Sequence, residues 1–175
     1  QNYWDWDLHR AYMEVDLRSW LIDLEPPLWS YQMCGGVTRI GDPESFGLSP
    51  LFLFIIVFGN LWGAILLVLT SAFVGYSYLW RMLLLLSNIT QNTPGAEGSS
   101  SLAKTFSLFF VFGNYFLCRF LLGHPTYILI YIGIGIIFYT IKALLLDLQR
   151  NEFIVAVFLV WCFFSAGFYH AFIFF

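Results

Sequence analysis

The sequence predicts an all-α, polytopic membrane protein with five transmembrane helices behind an N-terminal amphipathic segment. Of its 175 residues, 59% are hydrophobic and only 11% are charged, which is far from the average of soluble domains. A globule of this size cannot bury so much apolar surface. Five apolar stretches account for most of it, and four of them reach or approach the roughly 20 residues that a helix needs to cross a bilayer.

Residues 1–48 differ from the rest of the chain because they carry eight of its eleven carboxylates. Apolar residues recur there at helical spacing: Met13, Leu17, Trp20, Leu21 and Leu24. This spacing predicts an amphipathic helix, which Pro26 and Pro27 end. Helices that lie on membrane surfaces are usually rich in Lys and Arg, whereas this one is acidic. It is suited to docking on protein, either a separate partner or the chain's own membrane domain.

Residues 49–175 form the predicted transmembrane domain. Residues 47–88 contain a single formal charge, Arg81. As one helix they would be about 60 Å long, twice the thickness of the hydrocarbon layer, so we predict two crossings. We expect the break near Ser71 and Gly75, and a loop over residues 91–104, which are rich in Pro, Gly and Ser. The predicted crossings are residues 49–69, 72–90, 105–122, 126–146 and 153–175.

The positions of the basic residues predict the orientation. With the N-terminal segment in the cytosol, five crossings would bring most basic side chains to the inner face of the membrane, as the positive-inside rule expects. These side chains are Arg10, Arg18, Arg39, Lys104, Lys142 and Arg150. In a mitochondrion, the inner face would be the matrix face.

Four polar residues within the apolar stretches are candidates for intramembrane contacts: Asn60, Arg81, Asn114 and Arg119. A charge as deep as Arg81 costs about 3 kcal/mol on insertion scales unless it is paired, so we expect it to bond Asn side chains and backbone or to bind a lipid headgroup. Arg119 can extend toward the interface. The sequence VFGN occurs twice, around Asn60 and Asn114, where Gly permits close helix approach and Asn supplies an interhelical hydrogen bond.

No catalytic, metal-binding or phosphate-binding motif is present in the sequence. The three cysteines have no spacing typical of disulfide or metal frameworks. His124 and His170 raise the possibility of a haem, but no motif supports it. Proton and cation pathways usually need a carboxylate at depth, and the apolar stretches contain none. We therefore predict no enzymatic activity, no cofactor and no nucleic-acid partner.

Several segments resemble the Yip domain family of Rab-interacting membrane proteins. They are AYMEVDLRSWL (11–21), DPESFG (42–47), FGN (58–60), VFGNYF (111–116) and SAGFYHAFIFF (165–175). The resemblance implies a Golgi or endoplasmic reticulum protein of vesicle traffic that binds prenylated Rab GTPases and related multi-pass proteins. It implies partner binding by residues of the N-terminal segment: Tyr12, Glu14, Asp16, Trp20, Asp42, Glu44 and Gly47.

An alternative function fits the same composition. Short loops and a high aromatic content also suit an accessory subunit of a large mitochondrial inner-membrane complex, such as the respiratory chain or ATP synthase. Under either hypothesis the partners are membrane lipids and proteins. A transporter or lipid-modifying enzyme is disfavoured because the apolar stretches lack carboxylates and catalytic groups.

Overall fold

The computed structural model describes residues 6–30, 36–39, 45, 47–91, 97–122 and 130–165. The described residues are mainly helical, so the predicted all-α class is confirmed. The helices are α1 (Trp6–Arg18), α2 (Leu53–Gln91), α3 (Glu97–Val111), α4 (Asn114–Leu122), α5 (Ile130–Leu145) and α6 (Arg150–Phe164). Two strands of two residues, β1 (Trp29–Ser30) and β2 (Val37–Thr38), pair antiparallel.

The described residues before Ser49, which we call the head, begin with the predicted amphipathic helix. Helix α1 buries Met13 and runs into a π-helical turn, Ser19–Asp23. That turn ends at Leu24, whose φ of 54° lies in the left-handed region, and the two prolines follow. Helix α1 packs against α2. The head therefore docks on the chain's own helices, which is one of the two arrangements that its acidic amphipathic pattern allowed.

The predicted break near residues 70–75 is wrong, because α2 is continuous there. The Ser71 hydroxyl donates to the Leu67 carbonyl at 2.8 Å, so the helix itself satisfies this polar side chain. Gly75 lies against α5, and a Cβ there would lie 2.6 Å from the Cβ of Tyr131. The small residues that suggested a turn instead allow two helices to pack closely.

The helix is interrupted instead at Gly59, where φ is 76° and ψ is 173°. This backbone conformation is essentially restricted to glycine. Beyond the break the chain folds back on itself, since a Cβ on Gly63 would overlap the carbonyl oxygen of Phe54. A 3-10 turn (Pro50–Phe52) and residues 53–58 therefore form a short helical arm that packs on the long part of α2, residues 60–91.

The remaining helices surround the long part of α2. Helices α3 and α5 pack directly on α2, and α6 packs on α5. The predicted crossing 105–122 is divided between α3 and α4, with the break at residues 112–113. The predicted loop 91–104 is shorter than expected, because α3 already begins at Glu97. Helices α5 and α6 fall largely within the predicted crossings 126–146 and 153–175, of which residues 126–129 and 166–175 lie outside the described part.

Among the described residues, two helical segments are long and apolar enough to cross a membrane, Pro50–Ile89 and Ser100–Cys118, and a shorter apolar helix covers Ile130–Leu145. Five transmembrane helices are not supported. Only 33% and 24% of the most apolar windows of the two long segments are buried. A helix in the core of a soluble protein would be mostly buried, so the exposed apolar faces favour a membrane setting.

The structure separates the basic residues that were predicted to share one face. Arg10 lies beside Asn60, since the Asn60 amide donates to the Arg10 carbonyl at 3.0 Å. Lys104 lies beside Trp80, with 5.2 Å between its Nζ and the centroid of that ring. The helix from Asn60 to Trp80 is continuous and about 30 Å long at 1.5 Å per residue. The head and Lys104 are therefore at opposite ends of this helical segment.

Candidate functional site

A buried ion pair holds the head together. The Asp16 carboxylate accepts hydrogen bonds at 3.0 Å from the Nε of Arg39 and from the hydroxyl of Ser45. The Nη2 of Arg39 also lies 3.0 Å from Asp16 Oδ1, and the two side chains are 0% and 1% exposed. Such a pair adds little net stability, but removal of one partner leaves an uncompensated buried charge that costs about 3–5 kcal/mol. The pair thus fixes α1 to the segment around Arg39.

The titration of Asp16 reflects this environment. Burial raises the pKa of Asp16, because water is removed from the ionised form. The charge and hydrogen bond of Arg39 oppose that rise, as do the hydroxyl of Ser45 and the backbone N–H of Gly47. The carboxylate is thus buried and fully engaged by the head itself.

Gly47 and Trp20 close the head against the entry to α2. The indole Nε1 of Trp20 donates to the Gly47 carbonyl at 2.8 Å. A Cβ on Gly47 would lie 2.7 Å from the Cγ of Pro27 and 2.8 Å from the Asp16 carboxyl group, so a larger residue does not fit there. The ring of Tyr12 lies 5.1 Å from the guanidinium carbon of Arg39, a distance typical of cation–π contacts.

Four of the seven predicted partner-binding residues are engaged within the chain itself: Asp16 and Gly47 are buried, and Tyr12 and Trp20 are half-buried. The Arg39 guanidinium donates to the Asp16 carboxylate and to the Tyr12 carbonyl. The backbone N–H of Gly47 also bonds Asp16, and the Gly47 carbonyl accepts from the Trp20 indole. Hydrogen bonds within the chain therefore engage all four residues. Glu14 is exposed, and its carboxylate lies 3.5 Å from the Asn60 amide. Asp42 and Glu44 lie outside the described residues.

Sequence reasoning missed Arg39 and Ser45 as members of this cluster. A signal was present, because Asp16 follows Met13 by three residues and precedes Trp20 by four, which places it on the apolar stripe of the helix. A carboxylate in that position needs a buried partner. The partner is more than twenty residues away along the chain, so spacing alone could not identify it.

The head has an exposed cleft at the end of its π-helical turn. Leu21, Ile22 and Leu24 are 54%, 67% and 80% exposed. Beside them lies a cleft of about 540 Å³, lined by Ser19, Asp23, Glu25, Pro26, Leu28 and Trp29. Single π-helical turns occur often at functional sites. The cleft combines exposed apolar side chains with two carboxylates, and it is accessible without opening the head.

The four predicted intramembrane residues have different surroundings. Asn60 begins the long part of α2 and bonds α1, as described above. Asn114 begins α4 and is exposed, so each VFGN sequence stands at a helix break with Asn first in the next segment. Arg119 lies in α4, but its side chain is outside the described set. Arg81 is exposed, and its guanidinium carbon lies 5.7 Å and 5.9 Å from the ring centroids of Tyr78 and Trp80.

Within the described ranges, no three His, Cys, Asp or Glu side chains are grouped so that they could hold a metal ion. Comparison with models of protein families, with curated proteins and with solved structures finds no match for this chain.

Proposed function

We propose that this chain is a non-enzymatic integral membrane protein that acts by binding other membrane proteins, as an accessory subunit of a larger assembly of the respiratory-chain or ATP-synthase kind. The observation that carries this proposal is the inward orientation of the head. Tyr12, Asp16, Trp20 and Gly47 are engaged within the chain itself, so the surface left for partners consists chiefly of the outer faces of the helices.

The outer face of α6 supports this reading. Large apolar side chains at helical spacing form an exposed stripe: Phe153, Ile154, Val157, Phe158 and Trp161. The rings of Phe158 and Trp161 are 6.5 Å apart in an edge-to-face arrangement. Rigid aromatic side chains are frequent where proteins bind one another. We propose this stripe as the contact with a neighbouring subunit.

We propose four crossings instead of five, formed by the long part of α2, by α3 with α4, by α5 and by α6 from Phe153 onward. The contact between Ser49 and Cys162 supports an even number, because the Ser49 hydroxyl donates to the Cys162 carbonyl at 3.3 Å. The entry to α2 and the end of α6 are therefore neighbours. The host membrane on this proposal is the mitochondrial inner membrane.

A second candidate function is the vesicle-traffic role implied by the Yip resemblance, with a prenylated Rab GTPase as the partner in the Golgi or endoplasmic reticulum. The observation that favours it is the exposed cleft beside Leu24. Asp23 and Glu25 would attract a basic segment, and the apolar side chains beside them suit a lipid-modified or amphipathic one. On this proposal the contact moves from the buried residues of the head to Asp23, Glu25, Leu28 and Trp29.

Localisation and native size separate the two candidates. A tagged chain should resist carbonate extraction from membranes and, in mild detergent, migrate with an assembly several times its own 20.3 kDa. A mitochondrial signal together with that large size supports the subunit function. A Golgi or endoplasmic reticulum signal with capture of a prenylated, but not an unprenylated, Rab supports the second candidate. Carbonate extraction into the soluble fraction contradicts both.

A further inference from the structure

Two cations approach the same tryptophan on the surface formed by α2 and α3. The Nζ of Lys104 lies 5.2 Å and the guanidinium carbon of Arg81 lies 5.9 Å from the Trp80 ring centroid. Both cationic side chains are exposed, and neither has a carboxylate partner in the part of the chain that the structure describes. Arg81 and Lys104 thus contact aromatic rings and can still donate hydrogen bonds to an anion.

An apolar groove lies next to these cations. It has a volume of about 580 Å³ and is lined by Leu83, Ser87, Leu102, Ala103, Thr105, Phe106 and Phe109. Trp80, Leu83 and Ser87 are three and four residues apart, so they share one face of α2. Lys104 stands between two groove residues on α3. The groove volume is typical of ligand sites, and its lining suits a hydrocarbon chain.

We infer that an anionic phospholipid of the surrounding bilayer binds here, with its headgroup at Arg81 and Lys104 and an acyl chain in the groove. The inference rests on the proposed membrane location, but not on the choice of protein partner. Trp80 lies beside both cations and Tyr78 lies beside Arg81, and the Tyr78 hydroxyl is 3.2 Å from that of Tyr139. Tyr and Trp mark the headgroup level of membranes, so the cations lie where lipid phosphates are found.

The charge of the site selects among lipids. A zwitterionic lipid carries its own ammonium group, which would be repelled by the two cations, whereas an anionic headgroup is complementary to both. Each basic residue near an anionic headgroup strengthens binding by about fivefold. The aromatic contacts restrict the Arg81 and Lys104 side chains before a lipid binds, so less side-chain entropy is lost on binding.

Spin-labelled lipids test the inference directly. The whole chain is reconstituted into phosphatidylcholine nanodiscs that contain either labelled phosphatidylglycerol or labelled phosphatidylcholine, and the immobilised fraction is measured. We expect preferential immobilisation of phosphatidylglycerol. Arg81→Met and Lys104→Met should each reduce that preference about fivefold, and high salt should weaken it in the unaltered chain. Arg81→Lys should retain most of it.

Arg150→Met is the matched control, because Arg150 is an exposed cation at the start of α6, outside the groove, and its loss should leave the preference unchanged. An equal preference for both lipids in the unaltered chain would overturn the inference, as would an unchanged preference in the Arg81 and Lys104 double variant. Displacement of the labelled lipid by inorganic phosphate at constant ionic strength would also overturn it, since the site would then bind free anions. A chain that does not enter nanodiscs contradicts the membrane proposal as well, whereas one that enters without selectivity contradicts only the lipid site.

Discussion

Arg39 and Arg81 show how differently one chain can accommodate the same side chain. Arg39 belongs to the polar segment of the sequence, yet it is almost fully buried and paired with Asp16. Arg81 belongs to the longest apolar run, yet it is exposed beside Tyr78 and Trp80. The polarity of the flanking residues therefore does not determine whether an arginine is buried. Arg39 has a structural function, whereas Arg81 is available to a ligand.

The largest effect on stability is expected when the buried ion pair of Asp16 and Arg39 is broken. Asp16→Ala should lower the free energy of unfolding by about 3–5 kcal/mol, because Arg39 would remain buried without a counter-charge. Denaturant unfolding in detergent micelles, followed by tryptophan fluorescence, measures the loss. Glu14→Ala on the exposed side of the same helix serves as the control and should cost less than about 1 kcal/mol. Equal effects of the two substitutions would contradict the described burial of the pair.

The second largest effect on stability is expected for a substitution of Gly59, where α2 is interrupted. A Cβ there meets no atom within 4 Å, so Gly59→Ala tests the backbone conformation alone. The unfavourable φ and ψ should cost about 1–3 kcal/mol. Denaturant unfolding of this variant is compared with that of Val57→Ala, which changes an exposed helical residue two positions earlier. If Gly59→Ala were as stable as its control, α2 would have to be straight through residue 59.

A smaller effect on stability is expected when the hydrogen bond between Trp20 and Gly47 is removed. Trp20→Phe keeps an aromatic ring but removes the N–H that donates to the Gly47 carbonyl at 2.8 Å. We expect a loss of about 0.5–1.5 kcal/mol, the usual net value of one hydrogen bond. Hydrogen exchange of the α1 amides should become faster. Trp62→Phe alters a tryptophan that is 66% exposed, and it should leave that exchange unchanged.

A small, pH-dependent effect is expected at the polar junction between α5 and α6. Glu152, which precedes the predicted crossing 153–175, bonds the Lys142 ammonium and the backbone N–H of Gln149, and these hydrogen bonds lower the pKa of its carboxyl group. Because the folded-state pKa is lowered, the contribution of Glu152 is present at neutral pH and is lost as the pH falls through that pKa.

Glu152→Gln should therefore destabilise the chain slightly at neutral pH. The difference from the unaltered chain should disappear in acid, where both side chains are neutral. Thermal unfolding across a pH series checks this expectation. A difference that persisted at low pH would mean that Glu152 acts through packing and not through its charge.

The smallest effect on stability is expected for Arg81→Met. An exposed surface substitution usually changes the free energy of unfolding by less than about 0.5 kcal/mol. Arg39→Met in the same unfolding experiment should cost several kcal/mol, because the Asp16 carboxylate would then be buried without a counter-charge. Similar losses for the two arginine variants would show that Arg81 is also part of the structural core.

The sequence predicted the helical class, the amphipathic helix before Pro26 and the apolar character of the helices. It did not predict that α2 is continuous through residues 70–75. Small residues such as Ser71 and Gly75 occur both in turns and where two helices pack closely, so their presence does not distinguish the two. The break at Gly59 requires a positive φ. A glycine permits that backbone conformation but does not impose it, so the sequence alone could not place the break there. The Asp16 and Arg39 pair joins distant parts of the chain, and Lys104 meets Trp80 only after α3 folds back along α2.

The break at Gly59 also affects how the chain enters a membrane during synthesis. The nine residues 50–58 form an arm of about 15 Å, at about 2 Å per residue in the 3-10 turn and 1.5 Å in the α-helical part, which is too short to traverse the hydrocarbon layer. In the proposed membrane location, the translocation machinery would therefore release the segment that starts at Asn60, and not the arm, into the lipid. The arm would then settle afterwards as a re-entrant wedge against that segment, covered in part by the head.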